Sequence, residues 1–259
     1  MHKIAFQFGP LAIHWYGVMV ALGFLAGLWT ASRRAPRDGI HPERILDLGP
    51  WLIVGAIVGS RLLFVISYWD EYFARQPWYE IFMIQRGGLV FYGGLIGAFA
   101  GAVIFIRWKK LPFLKVADVT APSIALGHAF GRIGCLMNGC CYGKPTECFL
   151  AIHFPASHET GGIGVHPTEI YESVLNALLY LGLAWLFRRK KFDGQIFALY
   201  LMIYAVLRAT VEFFRGDYSS LILGWITPGQ VASVVTFVLG VAMWRLASRQ
   251  AKTPTPIKP

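Results

Sequence analysis

Seven apolar stretches, each close to the length that crosses a hydrocarbon layer, divide this chain of 259 residues. A spanning helix takes about 20 apolar residues. The stretches fall near residues 11–31, 46–68, 89–106, 116–134, 170–187, 194–214 and 226–244. With 56% hydrophobic side chains and a mean hydropathy of +0.51, the composition is too apolar for a soluble domain. The expected fold class is an all-α polytopic membrane protein with seven transmembrane helices over residues 1–249. A disordered tail rich in proline and threonine is expected at 250–259.

Basic residues collect after every second stretch. Arg33, Arg34, Arg37 and Arg44 follow the first, and Arg107, Lys109, Lys110 and Lys115 the third. Arg188, Arg189, Lys190 and Lys191 follow the fifth, and Arg245, Arg249, Lys252 and Lys258 the seventh. Cytoplasmic loops retain positive charge, so the N-terminus is expected outside and the C-terminus inside. The net charge of +10 is spread over these four loops rather than gathered on one patch, so no nucleic-acid partner is expected. The first run exceeds a signal-peptide core and is followed by Arg33-Arg34, so it is expected to remain as a span. Two outer segments stand out. Residues 70–86 carry Tyr72, Phe73, Trp78, Tyr79 and Phe82 and read as an interfacial arm, since aromatics favour the head-group region. Residues 140–167, with Glu147, His153, His158, Glu159 and His166, are long enough for a small periplasmic cap.

Three arginines, Arg61, Arg132 and Arg208, lie inside the apolar stretches. Ionisable residues there are costly and usually functional. On the expected topology these three, with Tyr16, Tyr92, Glu172 and Glu212, all fall in the outer half of the bilayer. Arg208 and Glu212 are spaced i, i+4 and share a helix face. A guanidinium is planar, always charged and suited to bidentate contact with phosphate, so the set points to an anionic lipid head group. An anionic-solute transporter is the competing reading, but it calls for polar residues reaching both faces. Gly55, Gly59, Gly93, Gly94, Gly97 and Gly101 permit close helix approach. Gly131, Gly134, Gly139 and Gly143 are expected to break the end of the fourth span into irregular backbone lining a cavity.

All four cysteines, Cys135, Cys140, Cys141 and Cys148, fall within fourteen residues. A zinc site prefers pairs two to four residues apart, which these gaps do not supply. A disulfide from Cys140 or Cys141 to Cys148, packed thiols, and a catalytic cysteine beside an arginine stay open. The last would make the protein a membrane acyltransferase or hydrolase.

Taken together, HWYG at 14–17, FYGGLIG at 91–97, GRIGCLMNG at 131–139, HPTEIYE at 166–172 and YAVLRATVEFFR at 204–215 resemble the phosphatidylglycerol:prolipoprotein diacylglyceryl transferase family. The resemblance implies an enzyme of the bacterial cytoplasmic membrane with its active site toward the periplasm. Its substrates would be phosphatidylglycerol and the lipobox cysteine of prolipoproteins, joined through a thioether with release of glycerol phosphate. It implies no metal or other cofactor. It assigns the phospholipid to Arg132 and Arg208, with Glu212 the associated acid, and matches Tyr16, Asn138 and Tyr204 to positions the family uses. Arg61 joins this substrate-binding set on its intramembrane position. The chain departs from the family pattern at Tyr92, where a histidine serves as the proposed base, and at Cys135 and Cys140, which replace an amide and a carboxylate. His128, one turn before Arg132, and Tyr92 are the candidates to orient or deprotonate the thiol.

Overall fold

The computed structural model describes residues 3–9, 11–216 and 226–252. These residues form seven α-helices: α1 (Trp15–Arg34), α2 (Pro42–Ser67), α3 (Phe91–Trp108), α4 (Phe113–Asn138), α5 (Thr168–Phe187), α6 (Gln195–Glu212) and α7 (Pro228–Lys252). Two short antiparallel hairpins accompany them, β1 (Ile4–Phe8) with β2 (Leu11–His14), and β3 (Ile152–His153) with β4 (Gly164–Val165). Among the described residues six helices, all but α4, are long and apolar enough to cross a membrane. Helix α4 is 26 residues long, but Lys115, Asp118, Ser123, His128 and Arg132 dilute its apolar character.

Several expected boundaries move. Residues 11–14 are a strand, not the start of the first span, because Ile4, Phe6, Leu11 and Ile13 alternate in the strand period and Gly9, at φ 58°, turns the chain between them. Helix α4 runs unbroken through Gly131 and Gly134 to Asn138. Its Gly134 is there for closeness: a Cβ would lie 3.3 Å from the Tyr16 backbone and 3.2 Å from Met19. Irregular chain starts only at Gly139, φ 73°. Residues 250–252 of the expected tail belong to α7, and 253–259 lie outside the described residues.

The chain divides into two compact units, one of residues 32–116 and one of the remaining described residues. In the smaller unit α2 and α3 meet through glycine. A Cβ on Gly55 would strike the carbonyl oxygen of Gly97, one on Gly59 that of Gly93, and one on Gly101 that of Trp51. Such contact lets dispersion act over whole helix faces where the hydrophobic effect is absent. The segment after α2 is not a continuous helix but short turns at Trp69–Phe73, Trp78–Phe82 and Ile84–Arg86. Arg61 holds it: Nε donates to the Ile81 carbonyl (2.7 Å), Nη2 to Glu80 (2.7 Å), and Nη1 to Gly87 and Gly88 (2.8 and 3.2 Å).

In the larger unit α1 packs on α4 at Gly23 and Gly27, where a Cβ would come within 2.8 Å of Phe130 and 3.3 Å of the Ser123 carbonyl. Thr30 and Ser123 hydroxyls share a 2.9 Å hydrogen bond at the same contact. Near the start of α4, the fully buried Asp118 accepts the backbone N–H groups of Gly194, Ile196 and Phe197 at 2.8 to 3.0 Å. Lys190 Nζ lies 3.2 Å from the same carboxylate. Helix α6 begins after a glycine, which has no capping side chain, so a residue from α4 satisfies its orphan amides. Asp118→Ala is expected to lower stability by about 2 kcal/mol, the upper end for a cap, read as a drop in melting temperature in detergent; an unchanged melting temperature would remove this role.

Candidate active site

At the far end of α4 from Asp118, about 21 Å away at the helical rise of ~1.5 Å per residue, four charges interlock. Arg132 comes from the last two turns of α4, Glu172 from the start of α5, and Arg208 and Glu212 from the end of α6. Glu172 joins the two arginines. Its Oε2 pairs with Arg132 Nε, and its Oε1 accepts from Arg208 Nη1 at 2.6 Å. Arg208 Nη2 then meets Glu212 Oε2 at 2.8 Å. Glu212 is fully buried and Glu172 nearly so, whereas Arg132 and Arg208 keep 14% and 16% of their side chains exposed. Burying four ions costs several kcal/mol each, which their mutual attraction offsets only when geometry is tight. The exposed fraction therefore sits on the cations, where an incoming anion would find it.

Neighbouring residues support the two carboxylates. Ser173 donates to the Ala129 carbonyl at 3.0 Å, tying α5 to α4 beside Glu172. Thr227 Oγ1 donates to Glu212 Oε1 at 2.7 Å. It also accepts the Gln230 N–H while Gln230 Oε1 accepts the Thr227 N–H, a capping box at the start of α7. A Cβ on Gly229 would strike both Glu212 oxygens, so only glycine lets this helix N-terminus, with its partial positive charge, approach the carboxylate.

Of the other expected site residues, His128 Nε2 accepts from Arg132 Nε at 3.3 Å, and its ring lies 5.2 Å from Tyr204, which stacks on Tyr200. Tyr16 packs against Gly134, within reach of the Arg132 charge. The Asn138 amide donates to Cys140 Sγ at 3.6 Å. Tyr92 and Arg61 belong to the smaller unit, where Tyr92 is 67% exposed beside Phe91 and Arg61 is engaged by four carbonyls. Glu172 stands in the outer-half set but without an assigned role; its place in HPTEIYE, at a helix start three residues after Glu169, is the signal for one.

Beyond α4 the chain is strapped by backbone bonds. Gly143 donates to His166, His166 to Lys144, and Lys144 to Phe214, at 2.8 to 3.0 Å. All four cysteines are free. The Cys140 thiol is drawn below the ordinary thiol range by hydrogen bonds from Cys135 and Cys141, with Asn138 adding to them and burial opposing.

Three ion pairs run in series, Arg132–Glu172–Arg208–Glu212, at one end of a bundle of largely apolar helices, the build of a multi-pass membrane protein with a charged site. The model of the prolipoprotein diacylglyceryl transferase family matches residues 3–246. The chain belongs to that family. It is 38% identical to the phosphatidylglycerol–prolipoprotein diacylglyceryl transferase of Nitratidesulfovibrio vulgaris over 259 residues, covering 98% of this chain and 96% of that protein. It is also 38% identical to the enzymes of that name from Finegoldia magna, covering 94% of each chain, and Geobacillus kaustophilus, covering 94% and 92%.

Replacing Glu172 tests the series. Glu172→Ala leaves two buried guanidiniums with one carboxylate, a loss expected to cost about 3–5 kcal/mol, while Glu172→Gln keeps an acceptor and should cost less. Melting in detergent reads both, and an alanine variant as stable as the parent would contradict the shared pairing.

Proposed function

We propose that this chain moves the diacylglyceryl group of phosphatidylglycerol to the lipobox cysteine of prolipoproteins, as its relatives' names describe for them. One observation carries the reading: Arg132 and Arg208 converge on a single carboxylate, one oxygen each. Arg132 reaches Glu172 and His128 through Nε, and among the described residues no hydrogen bond from its Nη donors is found. A lipid phosphate beside Glu172 would accept from those donors.

The thiolate sulfur attacks the glyceryl carbon that bears phosphate. A carbon–sulfur bond forms, the carbon–oxygen bond breaks, and the electron pair leaves with glycerol phosphate. Negative charge grows on the departing phosphate, and preorganised guanidiniums in a dry site stabilise it far better than water-exposed ones. His128, whose Nε2 accepts from Arg132, holds that guanidinium, and the 3.3 Å bond is long enough to yield Nε2 to a thiol proton. Tyr204 packs His128, and Tyr16 lies against Gly134 near Arg132.

The same reading takes α4 as a seventh span, with the N-terminus outside and the charged site in the periplasmic half. The basic clusters after α1, α3 and α5 and along α7 support it. Residues 140–167 then form the outer cap, and residues 70–86, with Trp78 and Phe82 75% and 69% exposed, rest at the interface. A transporter would need a path through the helix interior. The ionic cluster at the other end of α4 instead centres on a fully buried Asp118 that caps α6.

Purified enzyme given phosphatidylglycerol vesicles and a lipobox peptide is expected to yield thioether product and free glycerol phosphate. Arg132→Lys should lower kcat on the order of 10²-fold, the usual cost of removing a charge-stabilising donor. His128→Ala should lower kcat while Tyr92→Phe leaves it unchanged; the opposite pattern would move the base to Tyr92, and no thioether from the parent enzyme would end the proposal.

A further inference from the structure

Immediately after α4 the chain reverses on itself. Gly139 (φ 73°) and Cys141 (φ 69°) both adopt the left-handed conformation, uncommon for a residue with a side chain. The reversal returns the Cys140 N–H to the Cys135 carbonyl at 3.2 Å. It gathers three thiols that the sequence spacing leaves apart: the sulfurs of Cys135, Cys140 and Cys141 all lie within 4.8 Å of one another. Cys148 is not in this group.

Three sulfurs bound to one tetrahedral zinc at ~2.3 Å would sit about 3.8 Å apart, so the thiols need to close by no more than about 1 Å. A second feature points the same way. Glu169, at the start of α5, is 1% exposed, and apart from its own backbone N–H its carboxylate has no hydrogen-bond partner among the described residues. It lies close enough for its charge to act on Cys140 and Cys141, and Thr168 beside it donates to the Cys141 carbonyl at 2.7 Å. A buried carboxylate left unpaired is expensive, and a cation among the thiols would give it a partner. The Arg132 charge acts on Cys135 and Cys141 and offsets the negative charge of a thiolate cluster, while Arg215 acts on Glu169.

We propose that Cys135, Cys140 and Cys141 form a three-sulfur site for a thiophilic cation such as Zn²⁺, with Glu169, outside the sulfur group itself, as the buried carboxylate whose charge the cation compensates. Binding releases the thiol protons to solvent and forms sulfur–metal bonds without any change of oxidation state. Cys135 follows Arg132 by three residues, and Asn138 bonds Cys140, so an occupied site braces the end of α4 that carries the active-site arginine. The family resemblance supplies no such site. It arises where this chain departs from the family pattern, and it stands whether or not the transferase reading does.

The test uses full-length protein in detergent, reduced, stripped with chelator, and then offered Zn²⁺ before gel filtration. About one zinc per chain should be retained, and alkylation of Cys135, Cys140 and Cys141 should slow at least tenfold while Cys148 reacts as before. Cys140→Ser and Cys141→Ser should each weaken zinc binding at least tenfold, and Cys148→Ser should not. No retained zinc, protection of Cys148 in place of the other three, or equal retention by the Cys140→Ser and Cys141→Ser variants would overturn the proposal. Because protection is read on the unaltered protein, a variant that fails to fold leaves the test intact.

Discussion

One carboxylate, that of Glu172, makes the rest of the site possible. Two guanidiniums buried side by side repel, and each has lost most of its water. Glu172 lends one oxygen to each, and Glu212 completes the neutralisation from the other side of Arg208. The arrangement costs no net charge, yet it leaves the exposed fraction on the arginines. On the proposed reading, an anion entering the site would meet guanidiniums already held in place, which lessens the reorganisation left for the moment of reaction.

That alignment depends on close helix approach. Gly134 brings α4 against Tyr16, and Gly229 brings the capped start of α7 onto Glu212. Lipid tails are as apolar as leucine, so such contacts rest on packing and hydrogen bonding rather than on the hydrophobic effect. Asp118 anchors the other end of the same helix with three backbone amides and a lysine.

Six of the seven helices were legible because length and apolar content suffice to mark them, whereas α4 is diluted by its polar residues. Arg132, Arg208 and Glu212 were legible because charge inside such stretches is conspicuous and an i, i+4 spacing is local. Glu172 as the shared partner was not, because which carboxylate faces two arginines depends on how three helices turn toward one another. Arg61 shows the opposite limit: it looks like the other two in sequence, but its donors go to four backbone carbonyls of the segment that follows α2. The first hairpin was overlooked because a strand-period pattern was merged into a longer apolar run. The cysteine group was missed because consecutive residues converge only after two left-handed turns, which spacing rules do not anticipate.

The central claim is that one lipid phosphate sits against both Arg132 and Arg208. Solid-state NMR on the full chain in phosphatidylglycerol bilayers, with ¹⁵N-labelled arginine and natural ³¹P, measures this distance directly. Guanidinium–phosphate hydrogen bonds of about 2.8 Å place the nitrogens of both residues within about 4 Å of phosphorus, and each signal should vanish on replacing its own arginine by lysine. Dephasing confined to surface arginines, with Arg132 and Arg208 silent, would contradict the account.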